Sequence, residues 1–230
     1  MQDIEWFFSK QPIDYESAIA AMDDRVGLIK AGKAREMIWC LEHISVYTAG
    51  TGLAIVADDK SKMPSLPYSS GVAIVPSGRG GQITWHGAGQ RVCYVMIDLM
   101  KRRIDAHQFV KGLLLWCQSA IALLGVKSFL LKDKDKIGLW VAGQGKDRLA
   151  DKICAIGVRL SPHRIAGSAK LISSHGIAIN LNPDLQVFDN IEPCGIKDRR
   201  YGVTSLFAAG YQITMQQLDN ALKTTWQDRW

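Results

Sequence analysis

The stretch RVCYVMIDL at residues 91–99 predicts the architecture of the chain around it. Side chains alternate between the two faces of a strand, so Val92, Tyr94 and Met96 share one face. The residues between them are also apolar, which leaves no face suited to water. Such a strand is typical of the centre of a sheet that is covered on both sides by other layers.

Three helices are predicted to supply those layers. The first covers residues 13–31, where apolar side chains recur at helical spacing. Capping boxes, in which a capping residue precedes Gln by three positions, mark the starts of the other two at Asp105 and Thr214. The second helix is expected to run to about Leu124.

Strand candidates lie between the helices without a regular βαβ repeat. Besides residues 91–99, these candidates are 36–47, 71–75, 137–142, 152–160 and 170–182. This order predicts an α/β (α+β) fold with a mixed sheet flanked by helices rather than a doubly wound parallel sheet. We expect a single catalytic domain over residues 1–230, with a small C-terminal subdomain from about residue 184, after the turn signal Asn182-Pro183-Asp184.

Composition narrows the class of protein. The 230 residues include 28 Lys and Arg against 22 Asp and Glu, a formal charge of +6, and 47% are hydrophobic, which argues against disorder. The longest uncharged stretch in the middle of the chain, residues 112–126, is shorter than the roughly 20 apolar residues of a membrane helix. The N-terminus shows no secretory signal. The excess positive charge favours an acidic partner, whether nucleic acid, an anionic surface or an acidic protein.

The five cysteines favour a reducing, cytoplasmic compartment. Their odd number and the lack of a CxxC pair argue against a disulfide framework, and the five scattered histidines, none at ligand spacing from a cysteine, argue against a zinc site, so no metal is expected. Cys40, Cys93, Cys117 and Cys154 lie in apolar runs, where cysteine behaves as a small hydrophobe. Cys194 lies in a loop near Lys and Arg residues, where cysteines react as thiolates. It is the nucleophile candidate; an unreactive loop cysteine is the alternative.

A glycine-rich stretch, GRGGQITWHGAGQ at residues 78–90, is a candidate ligand loop. It holds five glycines and carries Arg79, Thr84 and His86. Glycine lets the backbone approach a ligand closely, whereas the alternative is a plain glycine-rich hairpin between two strands. The stretch is neither a P-loop nor a GxGxxG that opens a helix.

Two other strand candidates begin with polar residues. Lys152 opens the run KICAIGV, where a lysine commonly rests its stem on apolar surface and faces solvent. The functional alternative is a partly buried base or electrostatic partner. His175 opens the run HGIAIN and is followed by Gly176.

Taken in order, these segments resemble the lipoyl(octanoyl) transferases, which are octanoyl-[acyl-carrier-protein]:protein N-octanoyltransferases of the biotin/lipoate protein ligase fold. The family pattern is close to RGGQxTxHGPGQ, a strand ending in Asp-Leu, KIAAIGV, HGxALN, PCG and VTSL. The matching segments are Arg79–Gln90, Asp98-Leu99, Lys152–Val158, His175–Asn180, Pro193-Cys194-Gly195 and Val203–Leu206. Each motif alone is weak, but the ordered set is specific and spans most of the chain.

The chain departs from the family pattern at a few positions. Ala88 replaces a proline, and Cys154 replaces an alanine beside Lys152. The connections at residues 142–151 and 161–173 are longer than in typical members. These differences bear on fine substrate contacts and remove no reactive group.

The resemblance implies a reaction in protein lipoylation. An octanoyl group would pass from acyl carrier protein to a lysine of a lipoyl domain, through a thioester on Cys194, with Lys152 as its partner in a Cys/Lys dyad. The acceptors would be lipoyl domains of 2-oxoacid dehydrogenase complexes and the glycine cleavage H-type protein. No cofactor is required, because the donor acyl group is already activated on the phosphopantetheine of acyl carrier protein.

The resemblance also implies which residues bind the substrate. They are Arg79, Gly80, Gly81, Gln82, Ile83, Thr84, Trp85, His86, Ala155, Ile156, Gly157, Gly176, Ile177 and Ala178. Small residues leave room for an extended acyl chain, and backbone N–H groups can hold the carbonyl oxygen as charge develops. His86 and His175 are assigned as positioning donors rather than as the base.

Two other functions compete with this interpretation. One is an ATP-dependent lipoate/octanoate-protein ligase of the same fold, which would not need Cys194. The other is a non-catalytic basic domain that binds lipoyl domains or nucleic acid. Retention of both Lys152 and Cys194 argues against it, and the dispersed basic residues lack the interleaved aromatic side chains of a nucleic-acid surface. We expect neither a nucleic-acid nor a membrane partner.

Overall fold

The computed structural model describes residues 4–52, 74–133, 135–165, 167–189, 191 and 198–226. Within these ranges the helices are α1 (Tyr15–Lys30), α2 (Leu99–Arg102), α3 (Ala106–Leu123) and α4 (Met215–Thr225), and a short 3-10 helix covers Leu185–Phe188. The strands are β1 (Glu5–Phe8), β2 (Met37–Leu41), β3 (Val46–Ala49), β4 (Ile74–Pro76), β5 (Ile83–His86), β6 (Gln90–Met96), β7 (Leu139–Ala142), β8 (Ala150–Ile165), β9 (Ser168–Asn180) and β10 (Tyr201–Val203).

Two sheets form the framework of the described residues. The larger has seven strands in the order β1-β2-β6-β9-β8-β10, with β7 also pairing to β8, and the smaller has the order β4-β3-β5. In the larger sheet β1 and β10 run parallel to their neighbours, whereas β2, β6, β9, β8 and β7 pair antiparallel. The mixed sheet with flanking helices confirms the predicted fold class.

Strand β6 lies inside the larger sheet, with apolar layers on both faces. Val92, Tyr94 and Met96 pack in a cluster with the buried side of α1. Cys93 and Val95 pack in a second cluster with the buried sides of α3 and α4. The double-sided burial predicted for residues 91–99 is therefore confirmed.

The predicted strand at residues 36–47 is divided between the two sheets, so the prediction of one strand is wrong. β2 is buried throughout and pairs with β6, whereas β3 pairs with β4 and β5. The chain turns between them, where Ile44 is 57% exposed. The ring of His43 reaches back to the carbonyl of Ile13, at 3.1 Å from Nδ1. Glu42, His43 and Ser45 lie at this turn, but these local residues do not show that the flanking strands join different sheets.

The helix starts match their capping signals. Asp105 with Gln108, and Thr214 with Gln217, make both hydrogen bonds of a capping box. β1 was not predicted; it is a four-residue strand at the edge of the sheet. No helix in the described part of the chain is long and apolar enough to cross a membrane.

The segment beyond residue 184 joins the main framework. β10 pairs with β8, and α4 packs on α3, where the Trp116 Nε1–H donates to the carbonyl of Leu222 at 2.9 Å. The subdomain boundary near residue 184 stays a prediction.

Candidate active site

A cavity of about 410 Å³ opens on the face of the larger sheet that also carries α1. Its walls come from the glycine-rich loop, α1, β6, β8 and β9. The predicted site residues that line it are Arg79, Gly80, Gly81, Gln82, Ile83, Thr84, His86, Ala155, Ile156, Gly157, His175, Gly176, Ile177 and Ala178. Segments far apart in the sequence therefore meet at one cavity.

Trp85 is the described residue of the predicted substrate-binding set that does not line this cavity. Its ring packs edge-on against Phe188, with centroids 5.9 Å apart, and its Nε1–H donates to Ser45 Oγ at 2.9 Å. It shares a small apolar cluster with Tyr47. The structure thus gives Trp85 a packing contact behind the loop.

The glycine-rich loop is clamped between two parts of the backbone. On one side the N–H of Thr51 donates to Arg79 O and that of Gly52 to Gly81 O, both at 2.9 Å. On the other side the N–H of Gly80 donates to Val158 O at 3.0 Å. These bonds fix the loop over the cavity.

Glycine at position 157 makes this approach possible. A Cβ there would lie 3.0 Å from both Gly80 O and Arg79 Cδ. The loop can therefore cross β8 closely because residue 157 has no side chain.

Arg79 anchors the loop to the smaller sheet. Its buried guanidinium donates from Nη2 to Thr48 O at 2.8 Å and to Thr48 Oγ1 at 2.7 Å, and from Nη1 to Gly80 O at 3.1 Å. The cation sits beside the cavity with several donors already bound to the chain itself. It places a fixed positive charge in the wall.

A β-bulge determines where Lys152 points. Along β7 and β8, Leu139 pairs with Cys154 and Trp140 with Lys152, so Ile153 is an extra residue on β8. An extra residue interrupts the alternation of side chains. Ile153 and Cys154 both pack in the α3–α4 cluster, and Lys152 falls on the opposite face, the one that carries the cavity.

Lys152 is not among the residues that line the cavity, but its side chain contacts one of them, Ile137. Only 4% of the residue is exposed. Its Nζ donates to the carbonyl of Ile137, a cavity residue, at 3.0 Å and lies 4.9 Å from the centre of the Trp140 ring. Burial excludes the solvent-facing alternative for this lysine.

Five rings cluster at the other end of the cavity: Tyr15, His43, His86, Tyr94 and His175. They form a continuous set with centroid separations of 5.2–6.3 Å. Tyr15, Tyr94, His86 and His175 line the cavity, and His43 supports Tyr94 through a 2.8 Å hydrogen bond between Nε2 and the hydroxyl. Sequence reasoning missed Tyr15, His43 and Tyr94 as site residues, because their patterns predicted only a helix face and strands.

Burial keeps the three histidines of this cluster neutral. It lowers the pKa of His43 to about 4 and that of His175 to about 3. Burial, followed by electrostatic interaction with His43 and with the Arg79 guanidinium, lowers the pKa of His86 well below its ordinary value. At neutral pH these rings can donate or accept one hydrogen bond per nitrogen but carry no charge.

The cysteines divide as their sequence context predicted, as far as the structure describes them. Cys40, Cys93, Cys117 and Cys154 are buried free thiols in the core, which confirms the prediction for these four. Cys194 lies outside the described residues. Within the described ranges no group of three or more His, Cys, Asp or Glu side chains is placed to hold a metal ion.

Comparison with known proteins points to one family. Residues 14–227 match the model of the lipoyl protein ligase A/B catalytic domain. The chain is 42% identical over 228 residues to an octanoyltransferase of Rhodopseudomonas palustris (strain BisA53), covering 97% of this chain and 88% of that protein. It is 41% identical over 224 residues to an octanoyltransferase of Nitrobacter hamburgensis, covering 96% and 84%.

Solved structures show the same fold at low sequence identity. A lipoate protein ligase of Thermoplasma acidophilum with bound lipoic acid superposes with a TM-score of 0.67 at 14% identity, covering 97% of this chain and 84% of that one. A lipoate-protein ligase A with bound ATP gives a TM-score of 0.66 with the same coverage. The match of the family model and of these relatives confirms the resemblance inferred from the motifs. The chain is an acyltransferase and belongs to the lipoyl protein ligase A/B catalytic-domain family.

Proposed function

We propose that this chain transfers an octanoyl group from acyl carrier protein to a lysine of a lipoyl domain, through a thioester on Cys194. The observation that carries the proposal is the bulge at Ile153, which turns the buried Lys152 toward the cavity face. A bulge beside an active site commonly re-aims a functional side chain. The octanoyltransferase names of the relatives at 41–42% identity support the same acyl group.

The cavity wall suits an alkyl chain. Ala155, Ala178 and Val92 lie side by side on neighbouring strands, and Ile137 closes the Lys152 end. Transfer of alkyl surface from water to such a wall is favourable by roughly 25 cal/mol per Å². Because Lys152 lies near Ile137, we place the reacting carbonyl of the acyl group at that end of the cavity. The alkyl tail then points toward the cluster of five rings.

The short sequence separation between Cys194 and β10 supports contact between Cys194 and Lys152. Val203 on β10 is the Cα partner of Lys152 on β8, and the N–H of Thr204 donates to Lys152 O at 3.0 Å. Cys194 precedes Val203 by nine positions in the sequence. A short connection therefore joins the proposed nucleophile to the strand that flanks the proposed base.

The reaction proceeds in two steps. Lys152 takes the proton of the Cys194 thiol, the thiolate attacks the donor thioester carbonyl, and the departing carrier sulfur takes that proton from Lys152, which leaves an octanoyl thioester on Cys194. The amine of the target lysine then attacks this thioester, the bond to the Cys194 sulfur breaks, and Lys152 passes the amine proton on to that sulfur, so the amide forms and the Cys194 thiol is regenerated. The donor is already activated, so the steps need no nucleotide or metal.

Charge supports the choice of partners. The chain carries a formal charge of +6, and a basic surface speeds encounter with acidic domains such as acyl carrier proteins and lipoyl domains. The Thermoplasma acidophilum ligase has been described together with its E2 lipoyl domain. The acceptors we propose are lipoyl domains of 2-oxoacid dehydrogenase complexes and the glycine cleavage H-type protein.

Intact mass spectrometry tests the covalent step. Incubation with octanoyl-acyl carrier protein should add one octanoyl group to the chain, and hydroxylamine should remove it. The Cys194→Ala variant should not be acylated, whereas Cys154→Ala, which removes a core thiol, should still be acylated. A Cys194→Ala variant that transfers octanoyl at the wild-type rate would contradict the proposal.

The same assay separates transferase from ligase. Free octanoate with ATP should give no modified lipoyl domain, because the proposed route starts from a thioester. ATP-dependent modification that persists in Cys194→Ala would favour the ligase instead.

A further inference from the structure

We propose that Asn180 is a positioning residue for the transfer reaction, because it anchors the segment that pairs with the main chain of Lys152. The inference rests on the proposed function, since it takes Lys152 to be the base. It goes further in assigning the placement of that base to a side chain that does not line the cavity.

Asn180 lies beside the bulge that turns Lys152. The preceding residue of β9, Ile179, is the Cα partner of Cys154, two positions from Lys152. Because side chains alternate along a strand, Asn180 shares the cavity face with Ala178. Asn180 is buried, with 5% of the residue exposed. A buried amide needs partners for both its oxygen and its nitrogen.

The side chain of Asn180 bridges two segments that are distant in the sequence. Its Oδ1 accepts from Gln90 Nε2 on β6 at 2.9 Å, and its Nδ2 donates to the carbonyl of Thr204 at 3.0 Å. The main chain adds a further bond, since the N–H of Leu206 donates to Asn180 O at 2.9 Å. Asn180 therefore holds the residues that follow β10 against β9.

Thr204 transmits this constraint to Lys152. The N–H of Thr204 donates to Lys152 O at 3.0 Å, and the preceding residue, Val203, is the Cα partner of Lys152. Strand β10 has three residues and lies at the edge of the larger sheet, so it can form few ladder bonds of its own. Bonds at both the N–H and the carbonyl of Thr204 therefore help to fix the main chain at Lys152.

The direction of the hydrogen bonds requires an amide at position 180. The carbonyl of Thr204 can only accept, so it needs a donor from Asn180. On the other side, Gln90 Nε2 also donates to Trp85 O at 3.3 Å, and Gln90 Oε1 lies 2.6 Å from His86 Nδ1. Gln90 therefore presents its nitrogen to position 180. The side chain there must accept at one atom and donate at another, as an amide does.

The Asn180→Asp substitution tests this role with little change of shape. An ionised aspartate still accepts from Gln90, but its second oxygen opposes the carbonyl of Thr204. We expect kcat for octanoyl transfer to fall by roughly 10- to 100-fold, since a displacement of about 1 Å near the reacting groups can cost 10²-fold. KM for the donor should stay at the wild-type value, because residue 180 does not line the cavity.

Asn180→Leu is the second variant. Leucine has a similar volume and can neither donate nor accept in any protonation state, so it removes both side-chain bonds. It should show the same loss of kcat at constant KM. Both variants are compared with wild type at a temperature where circular dichroism shows each protein to be folded.

Ser173→Ala is the matched control. Ser173 is a buried polar residue on the same strand, seven positions before Asn180, and its Oγ donates to Val95 O at 2.7 Å. It does not line the cavity. Its loss should lower stability but leave kcat unchanged. An equal loss of kcat in Ser173→Ala would show that kcat follows general stability, and this would overturn the inference.

Hydrogen exchange separates this inference from the proposed function. Exchange of the Thr204 N–H should speed up by roughly 10-fold in both Asn180 variants, the effect of one lost hydrogen bond, and stay at the wild-type rate in Ser173→Ala. A wild-type chain that transfers no octanoyl, with this change of exchange intact, would sink the proposed reaction but keep Asn180 as the anchor of Lys152. Folded Asn180 variants with wild-type kcat or wild-type exchange at Thr204 would overturn the inference.

Discussion

The two faces of the β8–β9 pair differ in the size of their side chains. On the face toward α3 and α4, the cross-strand pairs are Cys154 with Ile179 and Ile156 with Ile177, which pack in or against the core, although Ile156 and Ile177 also border the cavity. On the other face, Ala155 pairs with Ala178 and Gly157 with Gly176, and the cavity lies over them. The same two strands thus supply a packed layer and a binding wall, because alternate positions hold large and small residues.

The two ends of the cavity face differ in their side chains, and the fixed charge of Arg79 acts on the rings of one end. One end holds the ammonium of Lys152 against a carbonyl and an indole ring. The other end holds neutral imidazole and phenol rings. Chemistry that moves a proton is therefore assigned to the first end, and recognition of the acyl tail to the second.

The largest effect on the rate of transfer is expected from a substitution of Lys152. Lys152→Met keeps most of the buried stem but removes the amino group, and transfer should slow by roughly 10²- to 10⁴-fold, the range for loss of a general base. Single-turnover transfer to a lipoyl domain measures this. Lys170→Met is the control, since its Nζ bonds the carbonyls of Ile29 and Lys30 at the end of α1, away from the cavity.

A near-normal transfer rate in a folded Lys152→Met protein would contradict the role assigned to this lysine. It would also break the contrast between the two ends of the cavity.

The two glycines of the cavity wall should respond differently to alanine. A Cβ at Gly176 would lie 2.2 Å from Cys93 O on the neighbouring strand, so β6 and β9 must separate. We expect Gly176→Ala to lower the free energy of unfolding by about 3 kcal/mol, the upper range for overpacking. Gly157→Ala, with contacts of 3.0 Å to the loop, should cost about 1 kcal/mol.

Urea denaturation measures both glycine variants. Gly157→Ala should in addition raise KM for the acyl donor, because the loop must move over the cavity. Equal losses of stability in the two variants would be inconsistent with the different contacts of these glycines.

Acid should lower the free energy of unfolding, because the histidines of the ring cluster are buried in their neutral form. The pKa of His43 is about 4 and that of His175 about 3, each below the ordinary 6.5, so the unfolded chain binds more protons below pH 6.5. Stability should therefore fall as pH falls from 6.5, by about 1.4 kcal/mol per pH unit for each buried histidine, until the folded pKa is reached. The free energy of unfolding at pH 7.5, 6 and 5 tests this.

The His175→Asn variant isolates one histidine in that profile. Between pH 6 and pH 4 the free energy of unfolding of this variant should fall less steeply with acid than that of wild type. The difference in slope should correspond to one proton that the unfolded wild-type chain binds and the variant does not. Superimposable profiles would show that His175 is not kept neutral by burial.

The smallest effect is expected from a substitution on the side of the sheet that packs against α3 and α4. Thr214→Ala removes a capping box at the start of α4, whose Leu218 and Leu222 lie in the core. Loss of such a cap costs about 1 kcal/mol. Thermal unfolding should show the loss, and octanoyl transfer should stay at the wild-type rate. Slower transfer in Thr214→Ala would mean that the packed face also controls the cavity.

Local signals in the sequence predicted the framework well. The capping boxes at Asp105 and Thr214, and the double-sided burial of residues 91–99, depend on neighbours within a few positions. The ordered motifs predicted most of the cavity wall for a similar reason, since Ala155, Gly157 and Gly176 alternate on adjacent strands.

Features that depend on distant segments escaped prediction. The turn that divides residues 36–47 contains Glu42, His43 and Ser45, but these polar residues do not show that the strands on either side of them join different sheets. Trp85 belongs to a cavity motif by sequence, yet its ring packs on Phe188, more than 100 residues later.

By itself the sequence determined the helix starts, the central strand, the four core cysteines and the order of the family motifs. Only the tertiary structure decided that Lys152 lies on the face of the sheet that carries the cavity, because that direction follows from how β7 registers against β8. It also decided the ring cluster, which assembles from α1, β5, β6, β9 and the turn after β2. Capping and alternation are properties of consecutive residues, whereas strand register and ring contacts exist only once distant segments have packed together.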